Sequence, residues 1–164
     1  MRVLFAVLVS LIAATAVPTT QTPLDALLGA AGVTTLDGKT LTRDALRGRI
    51  VLVDVWATWC APCLAEMPTL KQLQATHADD LLIVGVNVDS LPRRDLRQWL
   101  SRKDITWPQL FDGRGVNGPL ASQLNVEFLP RSFLYDEAGR LVATDLRGET
   151  LVRAVSVLVS RHAE

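Results

Sequence analysis

Cysteine and histidine are scarce in this chain, with 2 of each among 164 residues. So small a cysteine count excludes a disulfide-dense scaffold and a four-cysteine zinc site, and any cysteine chemistry must come from one pair. Net charge is absent as well. The 17 Lys and Arg residues balance 17 Asp and Glu, which removes any bulk electrostatic reason to expect nucleic acid as a partner. Internal repeats and low-complexity tracts are also missing, and a 49% hydrophobic composition excludes an intrinsically disordered chain. At ~100 to 200 residues per domain, the length allows one globular domain with a full-sized core.

Hydrophobic runs are short too. The first segment carries a single positive charge, Arg2, and an apolar run from Val3 to Ala14 that is short of the ~20 residues a membrane span needs. Ala14-Thr15-Ala16 follows as a small-x-small cleavage site. These features predict a secretory signal peptide over residues 1–16, with an uncleaved anchor as the alternative. Either reading places the rest of the chain outside the cytoplasm, in the periplasm, with membrane contact only through an uncleaved leader. No cysteine lies near the cleavage site, which excludes a lipid-modified N-terminal cysteine. Residues 17–23 form a Thr/Pro-rich spacer, and 24–164 the expected domain.

Beyond the spacer, strand-like and helix-like segments alternate, which favours a single α/β domain. A short helix is expected over Leu24–Ala31. Two short β-prone runs flank Asp37-Gly38, a dipeptide suited to a two-residue type I′ hairpin turn. Asp44 to Gly48 reads as one helical turn closed by glycine. Ile50 to Trp56 is nearly continuous apolar sequence, as a strand buried on both faces requires, and Asp54 is the one acid within it.

Cys60-Ala61-Pro62-Cys63 follows that strand directly, and Leu64, Met67, Leu70 and Leu73 recur behind it at helical spacing. Cys60 is thereby placed at a helix N-terminus, where free amides and the helix dipole stabilise a thiolate, the nucleophilic form. Two intervening residues on a first helical turn leave the second sulfur within reach of the first, so a disulfide closes and reopens with little backbone change. Cys60 is the expected attacker and Cys63 the resolving thiol. A structural disulfide or a metal pair are the competing readings, but a closed zinc site needs four N/S ligands and only His77 and His162 remain.

The stretch from Val53 to Cys63, continuing through Glu66-Met67-Pro68, resembles the active-site segment of thioredoxin-like proteins of the extracytoplasmic TlpA/ResA type. The likeness extends from about residue 33 to the C-terminus. It takes in the Leu36–Leu41 hairpin, the parallel strand Leu82–Asp89, the Phe128-Leu129-Pro130-Arg131-Ser132-Phe133 segment and the terminal helix from Glu149. The resemblance implies a thioredoxin fold: a central mixed sheet flanked by helices, with an N-terminal β-hairpin and a helix-strand insertion between Asp89 and Val126.

It also implies roles for individual residues. Cys60 and Cys63 form the redox disulfide, and no cofactor is needed. Pro130 corresponds to the family's cis-proline beside the two sulfurs, which leaves the backbone of Leu129 open to an extended substrate segment. Arg131 departs from the small residue common in the family; its guanidinium either faces the dithiol, selecting an acidic partner, or points to solvent. Asp54 corresponds to the buried acid that exchanges a proton with the resolving cysteine, and burial should raise its pKa. The lysine that partners this acid in thioredoxin is missing, because Gly85 occupies the matching place. Glu66 and Asp89 read as surface or capping acids. Trp59 should shield one side of the dithiol and offer partners a flat apolar surface, while Trp56 belongs to the core. Arg93, Arg94, Arg97, Arg102 and Lys103 line the polar side of an amphipathic helix carrying Leu96, Trp99 and Leu100.

The reaction class implied is thiol-disulfide exchange with disulfide-bearing extracytoplasmic proteins. A reductant of selected disulfides, of the cytochrome c maturation or copper-centre assembly type and recharged by a membrane thiol-disulfide electron donor, is the expectation. A periplasmic oxidase or isomerase is the alternative, and a Cu(I)-binding chaperone a weaker one.

Overall fold

The computed structural model describes residues 22–162. The expected leader at 1–16 and the spacer up to residue 21 lie outside the described residues. Thr22 opens helix α1 (Pro23–Leu28) through a capping box: its hydroxyl accepts from the Asp25 amide, and the Asp25 carboxylate accepts from the Thr22 amide. The helix ends at Leu28, short of the expected Ala31, where Gly29 turns to a φ of 57°.

Strands β1 (Val33–Thr34) and β2 (Thr40–Leu41) pair antiparallel as a hairpin. The connection differs from the expected type I′ turn. It runs over residues 35–39, and of these only Gly38 has a positive φ, 87°, whereas a type I′ turn needs two. The Thr35 hydroxyl closes this wider loop by donating to the Asp37 carboxylate and the Lys39 carbonyl.

A 3-10 turn at Asp44–Leu46 leads into β3 (Ile50–Trp56), every residue of which is buried. After it come α2 (Ala61–Thr76), β4 (Leu81–Asn87), α3 (Arg93–Arg102), β5 (Gln109–Phe111), a 3-10 turn at Gly115–Asn117, α4 (Pro119–Gln123), β6 (Arg131–Tyr135), β7 (Leu141–Thr144) and α5 (Gly148–His162). The sheet order is β5-β4-β3-β6-β7, with β3, β4 and β5 parallel and β6 and β7 antiparallel to their neighbours. This is the mixed sheet of a thioredoxin fold, and α3 with β5 is the expected insertion, extending the sheet beyond β4.

The crossovers β3-α2-β4 and β4-α3-β5 move the same way along the sheet, so their common right hand puts α2 and α3 on one face. That face carries Asp54 and Trp56. Trp56 packs against Trp99 of α3 with ring centroids 5.2 Å apart, and α5 packs beside α2. The opposite face takes α1 and α4, with the Tyr135 hydroxyl accepting from the Leu24 amide at 3.0 Å. The basic residues of α3 are partly used internally: Arg97 donates to the Leu36 carbonyl at 2.6 Å and Arg93 to that of Phe111 at 3.2 Å. No helix among the described residues is long and apolar enough to cross a membrane.

Candidate active site

Cys60 is the N-cap of α2, as the spacing behind it predicts. Its sulfur accepts from the Cys63 amide at 3.3 Å, and Pro62 stands in the first turn, where a missing N–H leaves nothing unsatisfied. The two cysteines are joined as a disulfide with Cα atoms 5.3 Å apart. Once the bond is reduced, the same amide and the helix dipole face whatever charge develops on the Cys60 sulfur.

The loop entering the helix is fixed from below by Asp89. This residue is buried rather than at the surface. Its Oδ2 accepts from the Thr58 amide at 2.9 Å and the Asn87 side-chain amide at 2.7 Å, and its Oδ1 accepts from the Thr58 hydroxyl at 2.9 Å. Trp59, next along, is thrown outward and is 62% exposed, while Trp56 is fully enclosed and donates to Gln109 Oε1 at 3.0 Å.

A groove of about 510 Å³ runs past Cys60 between Trp59, Pro62, Val116, Phe128 and Leu129. The Leu129–Pro130 peptide is cis. The β3–β6 ladder stops at the Val55–Arg131 pair, so the Leu129 backbone lies beyond it, unpaired among the described residues. Arg131 does not face the sulfurs freely. Its guanidinium sits between the Phe128 ring, 5.1 Å from the centroid, and the Phe133 ring at 5.2 Å, and pairs with Asp145 at 3.3 Å. This holds Phe128 at the groove's rim, 54% exposed.

Asp54 lies in the centre of the sheet, 3% exposed, with Gly85 of β4 on one side and Ser132 of β6 on the other. Burial pushes its carboxyl up to about 7, with Arg147 acting to lower it and Glu66 to raise it further. Glu66 is a capping acid, as expected: its Oε1 accepts from the Gly148 amide at the start of α5 at 2.9 Å. His77 ends α2 and His162 ends α5; no metal-holding group of His, Cys, Asp and Glu occurs among the described residues.

The tertiary structure therefore brings Cys60, Cys63, Trp59, Leu129 and Pro130 to one end of the sheet, with Asp54 buried within it. Phe128, Gln109 and Arg147 gain places around this site that sequence reasoning did not assign. Only Phe128 carried a signal, as an aromatic two residues before the proline.

A CxxC disulfide capping the first long helix of a thioredoxin fold defines a thiol-disulfide oxidoreductase. Residues 13–158 match the redoxin family model, and the chain belongs to that family, within its TlpA/ResA-type thioredoxin-like branch. It is 35% identical over 121 residues to the thioredoxin-like protein YneN of Bacillus subtilis (strain 168), covering 73% of this chain and 68% of that protein. It is 28% identical over 118 residues to the thiol-disulfide oxidoreductase ResA of Bacillus thuringiensis subsp. konkukian (strain 97-27), covering 71% of this chain and 65% of ResA. The chain thus spans about two thirds of the length of these relatives. Among solved structures, a thiol-disulfide oxidoreductase from Bacteroides fragilis NCTC 9343 superposes with a TM-score of 0.68 at 26% identity, covering 77% of this chain and 94% of that one.

Proposed function

We propose that this protein is exported and reduces specific disulfides in extracytoplasmic proteins, in the manner of cytochrome c maturation or copper-centre assembly, and is recharged by a membrane thiol-disulfide donor. The observation that carries the reading is Cys60 capping α2, with the Cys63 amide on its sulfur, beside a groove walled by Trp59 and Leu129. The leader-like residues 1–16 support the location, and the likeness to the thiol-disulfide oxidoreductase ResA supports the exchange chemistry.

An extended substrate segment lies against the Leu129 backbone and Pro130, with Trp59 and Phe128 excluding water on either side. Arg131 serves this surface by bracing Phe128. The Cys60 thiolate attacks one sulfur of the substrate disulfide; the other leaves as a thiolate and takes up a proton. Cys63 then gives its proton to Asp54, and its thiolate attacks the Cys60 sulfur of the mixed disulfide. The second substrate sulfur is released, takes a proton, and the enzyme ends as the Cys60–Cys63 disulfide. Two electrons have passed to the substrate.

The reduction potential in glutathione or dithiothreitol buffers tests the direction. A reductant is expected near thioredoxin's value of about −270 mV, and a value near about −120 mV, that of a strong oxidant, overturns the reading.

A further inference from the structure

Asp54 has no cation on the β4 side and no room for one. A Cβ at Gly85 would come 2.1 Å from Gln109 Oε1, and that amide is anchored by the Trp56 indole. On the β6 side its neighbour is Ser132, whose hydroxyl accepts from Arg147 Nη1 at 2.7 Å. The same nitrogen donates to the Leu146 carbonyl at 2.6 Å. The other terminal nitrogen, Nη2, is buried and without a partner among the described residues. The backbone of this corner is held as well, since Gly148, the next residue, is bonded to Glu66. A guanidinium stays charged at any ordinary pH, and a buried N–H without an acceptor is destabilising. A carboxylate forming on Asp54, the strand neighbour of Ser132, makes no direct bond to this nitrogen and is stabilised through space by the charge.

We propose that Arg147 is a positioning residue that supplies the counter-charge for Asp54, stabilising its carboxylate in the step where Cys63 must lose its proton. The proposal rests on the proton-acceptor role given to Asp54 above. Arg147 touches neither substrate nor sulfur; it acts through the acid, replacing from the α5 side the cation that the β4 side cannot hold. The groups around Asp54 are few. Arg147 favours its ionised form and Glu66, from α2, opposes it; β4 and β6 present neutral Gly85 and Ser132, and β5 the neutral amide of Gln109.

Two measurements test this on the full chain. The first is the titration of the Asp54 carboxyl carbon by NMR in the oxidised protein. Arg147→Gln is expected to move its midpoint up by about one pH unit, a tenfold change in the ratio of ionised to protonated acid. Arg147→Lys should restore most of the shift. The second is the pH profile for resolution of a preformed mixed disulfide, which should move to higher pH in Arg147→Gln. In an Asp54→Asn background Arg147→Gln should leave that profile where it is. An unmoved Asp54 midpoint in a folded Arg147→Gln protein overturns the proposal, as does a Lys variant displaced as far as the Gln one. Should Arg147→Gln not fold, Arg147→Met retains the apolar stem without the charge and is read in the same way. A moved midpoint with an unmoved resolution profile supports the pairing and overturns the catalytic role of Asp54, so the two readings fail separately.

Discussion

Asp89 binds Thr58 at both of its donors, the backbone amide and the hydroxyl, each at 2.9 Å. A carboxylate at the end of β4 thus sets the path of the chain between β3 and Cys60. With Asn87 as a further donor, Asp89 satisfies three groups that water does not reach easily. Asp89→Ala should destabilise the protein by about 2 to 4 kcal/mol, since it strands several donors around a buried site. Urea unfolding reads the loss, and alkylation of the reduced protein should show Cys60 thiolate reactivity falling with it.

The geometry at the helix start assigns different fates to the two sulfurs. Both cysteines are buried but only Cys60 lines the groove, so Cys63→Ser should accumulate mixed disulfides with partner proteins and Cys60→Ser should not. Non-reducing gels of extracts from cells expressing each variant give the answer. Equal trapping by both would reverse the assignment of attacker and resolver.

Asp54 predicts an inverted pH dependence of stability. Its folded pKa of about 7 lies above the ordinary carboxylate value of 3.8, so the folded state holds the proton more tightly than the unfolded chain. The resulting stabilisation is fully present below about pH 4 and is lost as pH rises through about 7. Asp54→Asn removes this dependence. The oxidised variant should exceed the parent in stability above pH 7 by on the order of 4 kcal/mol, with the difference vanishing toward pH 4. Denaturant unfolding at pH 4, 6 and 8 checks the sign.

Trp59 is held out to solvent and contributes little to the core. Trp59→Ala should leave the unfolding midpoint within about 0.5 kcal/mol of the parent. Reduction of a protein disulfide should slow about tenfold or more, in keeping with an aromatic anchor at a binding site. A small disulfide that does not fill the groove should react at the parental rate, and the ratio of the two rates isolates recognition from chemistry.

Gly85 is set by packing rather than by backbone conformation. Its absent side chain leaves the space that Gln109 fills in order to accept from the Trp56 indole. Gly85→Ala displaces that amide and strands a buried donor, costing roughly 1 to 3 kcal/mol by unfolding measurements. Lysine at this position, the thioredoxin solution, should be worse.

Much of this protein is local in origin and legible in the chain. The unbroken apolar run Ile50–Trp56 fixes a central strand, because only a strand covered on both faces is apolar at every position. The cysteine spacing behind it fixes a capped helix with two sulfurs on its first turn. The Asp37-Gly38 pair fixes a hairpin, yet its loop type escaped the local rule because Thr35 and Lys39 close a wider turn. What the sequence could not settle depends on residues distant in the chain. Asp89 and a surface acid have the same composition; only the approach of Thr58, 31 residues earlier, makes the difference. Arg131 by local reading faces either the dithiol or solvent, and becomes an internal brace once Phe128, Phe133 and Asp145 surround it. The chemistry of the dithiol was determined by four consecutive residues, whereas the electrostatics behind it were decided only by tertiary packing, because charge acts through space and the cation that favours ionised Asp54 comes from a corner 93 residues away.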